Sequence, residues 1–457
     1  MGQKIWKKLK IIWDDRDERI LFFNIIFAFG VKGLSLIISL FSMPLYIKYF
    51  SDEAVLGLWY TILSLLSWIS VCDLGLGNGL RNRLTEALAT NDTLQGKQYI
   101  SSTYMIISLL IIPILIVLNL IIRFSDLNIF FNIPTELIGS DVLITAISIL
   151  IIGVGLSFVL KLINNVIYAI QKSSLNNALA LISSVLPLIY IYFVNGGDSE
   201  KNLVYLSIVH TLSINLPLVL VTIILFSQKT LKEYRPSLRA CSFSTAKKML
   251  SFGLEFFLAQ IFFMFIMATN ETFISKLYSP KDVVEYTIYY RISTLIGSFF
   301  MLALTPIWSK ITKDLAQKKY RKIKTTNRVL YTLSGTAILV QFLIVPFLQT
   351  IINVWLKEEA ILVNYTTALI FAVFGGLYIT NIVLTTVANG IGEVKSQIVF
   401  YGIGALLKIP ALMLLSRIWD QWHIVTVYNC VVLILFCSYQ LVWVEKRINR
   451  IIRMEEQ

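Results

Sequence analysis

Long apolar stretches recur along this chain between residues 20 and 444, and they constrain its fold more than any other feature. About twenty apolar residues in a helix cross the hydrocarbon core of a bilayer. The hydrophobic fraction of 56% and the charged fraction of 15% are typical of a membrane protein. The sequence therefore predicts an all-α polytopic membrane protein. The twelve predicted spans are residues 20–46, 54–73, 99–122, 140–169, 175–194, 203–227, 248–275, 284–307, 328–352, 361–389, 396–416 and 421–444.

The spans divide into two groups of six around a basic segment. The predicted parts are an N-terminal segment 1–19, an N-lobe 20–227, a solvated linker 228–247, a C-lobe 248–444 and a tail 445–457. Phe29-Gly-Val-Lys32 in the first half is matched by Phe252-Gly-Leu-Glu255 in the second. The match indicates a parallel repeat of six spans, although chance matching in an apolar alphabet is the alternative.

The net charge of +13 lies mainly at one membrane face. Nucleic acid is not an expected partner, because no segment is long enough to form a basic water-facing domain. Most lysines and arginines lie in the N-terminal segment, the loops after even-numbered spans and the tail, which predicts that both termini are cytoplasmic. The opposite loops hold Lys48, Arg123, Lys201, Lys276, Lys281, Lys357 and Arg417.

Four basic residues fall inside predicted spans, where each costs about 2.5 to 3.5 kcal/mol unless it faces protein or water. They are Lys32, Lys161, Arg291 and Lys408. Each shares a helix face with polar residues at spacings of three and four, so we expect four polar stripes around one aqueous cavity between the halves. The polar lining predicted in this way is Asn24, Ser35, Ser39, Asn164, Thr294, Ser298 and Tyr401.

Snorkelling to a membrane surface or pairing with a buried acid is the alternative for these cations. For Lys161 and Lys408, which lie nearer to span ends, both interpretations stay open, whereas the more central Lys32 and Arg291 favour the cavity. A cluster of cations requires an anion. A phosphate or pyrophosphate cargo fits best, because guanidinium binds it in a fork and lysine adds a point charge.

Acidic residues at or within spans are candidates for coupling transport to an ion. Asp73, Glu255 and Glu271 are suited to carry Na⁺ or H⁺, and a salt bridge or an interfacial position is the alternative role. The sequence shows no paired carboxylates in a loop, no metal-ligand spacing and no nucleophile with a nearby base. We therefore expect a transporter without a cofactor, and not an enzyme.

The stretch from Asp73 to Leu84, Asp-Leu-Gly-Leu-Gly-Asn-Gly-Leu-Arg-Asn-Arg-Leu, interrupts the apolar pattern. It follows a predicted span and not a strand, so its glycines do not indicate a phosphate loop. They predict a tight helix exit with close packing at the cytoplasmic face. Asp73 is predicted to pair with Arg81 or Arg83 as a cytoplasmic gate, or else to serve as a passive anchor.

These residues also carry a resemblance. Leu56-Gly-Leu-Trp59, then Trp68 to Leu84, then Glu86-Ala-Leu-Ala resemble the Wzx-type polysaccharide transporters, which are lipid-linked O-antigen flippases of the multidrug/oligosaccharidyl-lipid/polysaccharide superfamily. The motifs cover about residues 50–100. The resemblance implies two six-helix lobes in a V-shaped alternating-access transporter, with a cationic central cavity.

The resemblance also implies the cargo and the location. The expected cargo is an undecaprenyl-pyrophosphate-linked oligosaccharide, moved across the bacterial inner membrane from the cytoplasmic to the periplasmic leaflet. Other polysaccharide-assembly proteins are further expected partners. One alternative is a multidrug or cation-coupled exporter of the same superfamily, which should prefer buried acids to buried bases. Another is a membrane-bound polymerase or transferase of the polysaccharide pathway.

Overall fold

The computed structural model describes residues 16–50, 52–71, 75–131, 133–194, 197–356 and 361–455, and this part of the chain contains helices but no strand. The all-α prediction is therefore confirmed. The helices are α1 (Arg16–Phe50), α2 (Glu53–Val71), α3 (Leu76–Ala89), α4 (Thr93–Phe124), α5 (Leu127–Phe131), α6 (Ser140–Leu160), α7 (Leu162–Ala169), α8 (Ser173–Phe193), α9 (Ser199–Ser227), α10 (Phe243–Ala268), α11 (Asn270–Leu277), α12 (Pro280–Ala316), α13 (Tyr320–Ile344), α14 (Leu348–Leu356), α15 (Tyr365–Ile391), α16 (Lys395–Ile418) and α17 (Ile424–Glu455).

Ten helical segments in the described residues are long and apolar enough to cross a membrane. They correspond to the third to twelfth predicted spans. The first two predicted spans fall in α1 and α2, where several side chains lie outside the described residues. Apolar side chains along the long helices are exposed, as Leu109, Ile112, Ile116 and Leu120 are on α4. These features are those of a multi-pass membrane protein, whose helices meet lipid with their apolar faces.

Three of the long segments are interrupted helices. The interruptions lie at Lys161 between α6 and α7, at Thr269 between α10 and α11, and at a short 3₁₀ turn, Val345–Phe347, between α13 and α14. Pro346 accounts for the last one, because proline has no N–H for the helical hydrogen bond. The other two interruptions lie at polar residues with no proline nearby, so sequence patterns do not mark them.

The chain divides into two compact units, the first ending at Leu254 and the second beginning at Glu255. The predicted linker 228–247 belongs to the first unit and is folded against α4. Leu231 and Tyr234 are buried there. The backbone N–H of Ser237 donates to Ser101 Oγ at 3.1 Å, and that of Ser242 to Ser102 Oγ at 3.1 Å. This segment therefore packs on α4 of its own unit, with most of its charged side chains exposed.

Each unit has its own apolar core. In the first unit, one cluster surrounds Phe50, Trp59 and Leu143, and a second surrounds Leu80 and Ile163. The core of the second unit contains a group of aromatic rings that stack or meet at an angle. They include Tyr286, Tyr289, Phe371, Phe374 and Trp422. Such pairs add stabilisation beyond the area that they bury.

Candidate transport site

Lys32 in α1 and Arg291 in α12 are exposed side chains on long apolar helices. The hydroxyl groups predicted to share their faces are bonded within their own helices. Ser35 Oγ donates to Val31 O at 2.8 Å, and Thr294 and Ser298 donate to carbonyls four residues earlier at 2.7 and 2.9 Å. These hydroxyl hydrogens already bond to backbone carbonyls. Lys32 and Arg291 are therefore the strongest exposed hydrogen-bond donors on their helix faces.

Lys161 lies at the interruption between α6 and α7 and is half-buried. Its backbone N–H donates to Ser157 O at 2.7 Å. One turn further on, the backbone carbonyl of Asn164 accepts from Asn176 Nδ2 at 2.8 Å. The side-chain oxygen of Asn164 is buried and has no hydrogen-bond partner among the described residues. The predicted stripe on span 4 therefore coincides with the helix interruption inside the first unit.

Asn24 was predicted to line a cavity, and the structure places it between helices. Its side chain is buried, with Nδ2 donating to Gln171 O at 2.8 Å and Oδ1 accepting from Ser174 N at 3.1 Å. Asn24 thus ties α1 to the turn between α7 and α8, and both of its polar atoms are used there. Ser39 belongs to the same predicted stripe, but its side chain lies outside the described residues.

Lys408 was also assigned to the cavity or to a membrane surface, and it lies in neither place. Its side chain has an exposed fraction of 0%, inside the second unit. Nζ donates to Ile266 O, Thr269 Oγ1 and Asn270 Oδ1 at 2.5, 2.9 and 2.7 Å. All three ammonium hydrogens are therefore used by the protein. This lysine is not available to a cargo.

Tyr401 is another predicted lining residue that belongs to the core. It is 2% exposed, and its hydroxyl donates to Asn381 Oδ1. Its ring packs against Phe263 and Phe436. Periodicity alone predicted a polar stripe on α16, but a buried tyrosine with one polar partner gives the same pattern. This residue joins α16 to α15 inside the second unit.

The candidate coupling acids differ in exposure. Glu255 in α10 is half-buried and Glu271 is exposed in the first turn of α11, where a carboxylate suits the helix dipole. Asp73 lies outside the described residues. No group of three or more His, Cys, Asp or Glu suited to a metal ion occurs within the described ranges.

In the described residues, the glycine stretch consists of Gly75 and the first residues of α3. Gly75 has φ 62°, a left-handed conformation that favours glycine, and it precedes the first residue of α3. A Cβ on Gly77 would meet Asn165 Nδ2 at 2.2 Å, and one on Gly253 of α10 would meet Leu76 Cα at 2.8 Å. The glycines therefore allow α3 to approach α7 and α10 closely, and the structure gives them no phosphate-loop role.

The two arginines of the predicted gate have partners within the first unit. Arg81 is 3% exposed, with its guanidinium 4.6 Å from the centre of the Tyr168 ring. Burial lowers the pKa of Arg81 to about 9, and the guanidinium stays charged at neutral pH. Arg83 pairs with Glu86 at 3.2 Å and lies 5.1 Å from the centre of the Phe252 ring. These contacts fix both arginines to α3 and its neighbours, whereas a latch with Asp73 stays a prediction.

Comparison with known proteins finds this fold in transporters. The MatE family model matches residues 251–414. A crystal structure of MATE in the bent conformation superposes with a TM-score of 0.74 over 97% of this chain and 98% of its own, at 14% identity. The chain has the MATE transporter fold. An outward-facing multidrug resistance MATE family transporter of the MOP superfamily gives 0.69 over 96% and 97%, at 16% identity.

Proteins similar in sequence have a more specific name than the MATE fold. A protein of Salmonella typhi named "Putative O-antigen transporter" is 24% identical over 272 residues, which cover 58% of this chain and 59% of that protein. A protein of the same name from Salmonella typhimurium is 25% identical over 333 residues, covering 70% and 72%. The chain thus spans 59% of the length of the first relative and 72% of the second. The predicted resemblance to O-antigen transporters, and the prediction of a transporter class and not an enzyme, are confirmed.

Several partners of the two buried residues are absent from the sequence prediction. Thr269 and Asn270 accept from Lys408, Asn429 donates to Asn270, and Asn381 accepts from Tyr401. The signal available in the sequence is that an asparagine inside an apolar span requires a polar partner. Sequence spacing shows that such residues need partners, but it does not show which ones they have.

Proposed function

We propose that this protein is a flippase that moves an undecaprenyl-pyrophosphate-linked oligosaccharide, an O-antigen unit or a similar surface polysaccharide unit, across the bacterial inner membrane. The direction is from the cytoplasmic to the periplasmic leaflet, by alternating access. The observation that carries this proposal is the exposure of Lys32 and Arg291 on long apolar helices. Such exposed cations are costly beside hydrocarbon and are stabilised by an anionic headgroup. The resemblance to O-antigen transporters supports it.

In this mechanism the protein performs no bond chemistry. The exposed cations hold the pyrophosphate, the polyprenyl chain stays in lipid, and the glycan crosses in contact with water. A gradient of Na⁺ or H⁺ supplies the energy, with Glu255 and Glu271 as candidate carriers. Both termini lie in the cytoplasm, and other polysaccharide-assembly proteins are the partners that supply and receive the cargo.

Transport into vesicles under imposed Na⁺ or H⁺ gradients, with each glutamate replaced by glutamine, tests the coupling.

The cargo test uses a strain from which the gene is deleted. Lys32→Ala combined with Arg291→Ala should lower polysaccharide export at least about tenfold, because each lost hydrogen bond to a charged group contributes about 1.5 to 3 kcal/mol. Arg291→Lys should lose less, since it keeps the charge and loses the fork. The matched control is Lys229→Ala with Lys232→Ala, which removes two exposed lysines outside the spans.

The readout separates this proposal from its alternatives. Complete lipid-linked units should accumulate on the cytoplasmic side in the deletion strain and in the double variant, at normal protein levels. Unpolymerised units displayed outside would indicate a polymerase instead. Unchanged export by the double variant would contradict the role given to these cations.

A multidrug exporter is the second candidate, because the superposed structures include a multidrug resistance transporter. Expression in a drug-sensitive strain tests it. We expect unchanged susceptibility to cationic drugs, since exposed lysine and arginine repel them.

A further inference from the structure

Three oxygen atoms of the second unit accept hydrogen bonds from the Lys408 ammonium. Its Nζ lies 2.5 Å from Ile266 O, 2.9 Å from Thr269 Oγ1 and 2.7 Å from Asn270 Oδ1. No carboxylate lies within salt-bridge distance of it in the described ranges. The ring of Phe273, 5.4 Å away at its centre, completes one side. A buried charge with neutral partners is costly unless its hydrogen bonds are complete, as they are here.

The surrounding oxygens are oriented so that their lone pairs face the ammonium. Thr269 Oγ1 donates its own hydrogen to Phe265 O at 2.6 Å. Asn270 Nδ2 donates to Tyr286 Oη at 2.8 Å, and Asn270 Oδ1 also accepts from Asn429 Nδ2 at 3.1 Å. Because the Thr269 hydroxyl hydrogen and the Asn270 amide nitrogen bond other partners, the three atoms that face the ammonium are all acceptors. Backbone carbonyl, hydroxyl and amide oxygens are also the kinds of oxygen ligand that bind small hard cations.

The cluster lies where α10 gives way to α11. Ile266 is in the last turn of α10, Thr269 is the interrupting residue, and Asn270 begins α11. Lys408 reaches this point from α16, and Asn429 from α17. The ammonium therefore joins the interruption to two other helices of the same unit.

We infer that Ile266 O, Thr269 Oγ1 and Asn270 Oδ1 form a monovalent-cation site that the Lys408 ammonium occupies as a tethered ion. The wild-type protein consequently needs no metal ion at this position. Removal of the side chain beyond Cβ opens a space that a small cation fills. This inference concerns the second unit alone and goes beyond the proposed cargo, so its test does not depend on polysaccharide export.

The experiment follows the thermal unfolding midpoint of the purified protein in detergent, using Trp fluorescence. Each variant is unfolded in NaCl, in propylammonium chloride and in N-methylglucamine chloride at equal ionic strength. Propylammonium corresponds to the atoms that Lys408→Ala removes. We expect the wild type to unfold at the same temperature in all three salts. Lys408→Ala should unfold several degrees lower in N-methylglucamine, and Na⁺ or propylammonium should raise its midpoint in a saturable way.

Two further variants sharpen the test. Lys408→Met keeps the length of the side chain and fills the site, so its midpoint should be lowered and should not respond to cations. Lys395→Met removes an exposed lysine from the start of the same helix and should behave as wild type. Propanol, which is neutral, should not replace propylammonium.

The inference is overturned if Lys408→Ala folds and none of the cations raises its midpoint, or if Na⁺ stabilises the wild type as much as this variant. If Lys408→Ala yields no folded protein in NaCl, it is purified in propylammonium. Failure there, while Lys408→Met folds, also overturns the inference.

Discussion

Gly253 in α10 and Leu76 in α3 are in closer contact than a larger side chain at residue 253 would allow. A Cβ there would lie 2.8 Å from Leu76 Cα and 3.0 Å from Leu76 N. Both atoms belong to the backbone, so no side-chain rotation relieves the overlap. The absence of one methyl group therefore sets how closely α3 packs on α10 within the first unit.

Gly253→Ala should destabilise the protein by about 1 to 3 kcal/mol, because overpacking shifts one of the two backbones. The matched control is Gly335→Ala in α13, where a Cβ would meet nothing within 4 Å. Since alanine is the better helix former, that change should be neutral or stabilising by up to about 1 kcal/mol. Thermal unfolding in detergent measures both. Equal midpoints for the two variants would contradict the close contact.

At the scale of the helices, polar side chains join elements at the points where regular structure stops. Asn24 joins α1 to the turn between α7 and α8, and Asn364 caps α15 by accepting from the N–H groups of Thr366 and Thr367 at 2.9 and 3.2 Å. Such contacts satisfy backbone groups that helix ends leave without partners. They fix the neighbours of a helix, which apolar packing alone specifies less sharply.

Asn24→Ala should cost about 1 to 3 kcal/mol, because it leaves the carbonyl of Gln171 and the N–H of Ser174 without their partner. Asn119→Ala is the comparison, since among the described residues Asn119 Nδ2 bonds only the carbonyl of Leu115 in its own helix, at 2.9 Å. That variant should lose less stability. Unfolding midpoints and protein levels in membranes report the difference. A larger loss for the Asn119 variant would contradict the role of Asn24.

For the whole molecule, the distribution of lysine and arginine predicts the side of the membrane on which each loop lies. Residues 228–242 should be cytoplasmic, and the segment before α15 should lie on the opposite side. Leu238 and Leu362 test this prediction well, because each side chain is 89% exposed. Matched exposure removes accessibility as a cause of any difference in labelling.

Single cysteines placed at residues 238 and 362, in a chain whose native cysteines are replaced by serine, should differ in labelling. An impermeant maleimide added outside should modify Leu362→Cys in sealed cells. It should modify Leu238→Cys only after the inner membrane is opened. The opposite pattern would reverse the predicted topology.

Residue types and their order determined the class of this protein. Apolar runs determine the long helices, because inside a bilayer backbone groups can bond only to one another. Pro346 marks the interruption before α14, and Gly75 marks the start of α3. The resemblance to O-antigen transporters also came from local motifs. Tertiary structure alone decided the environments of Lys32 and Lys408, which helical spacing treats alike. Lys32 is exposed, whereas Lys408 meets three oxygens from residues 138 to 142 positions away. Periodicity gives the face of a helix on which a residue lies, but packing decides what that face meets.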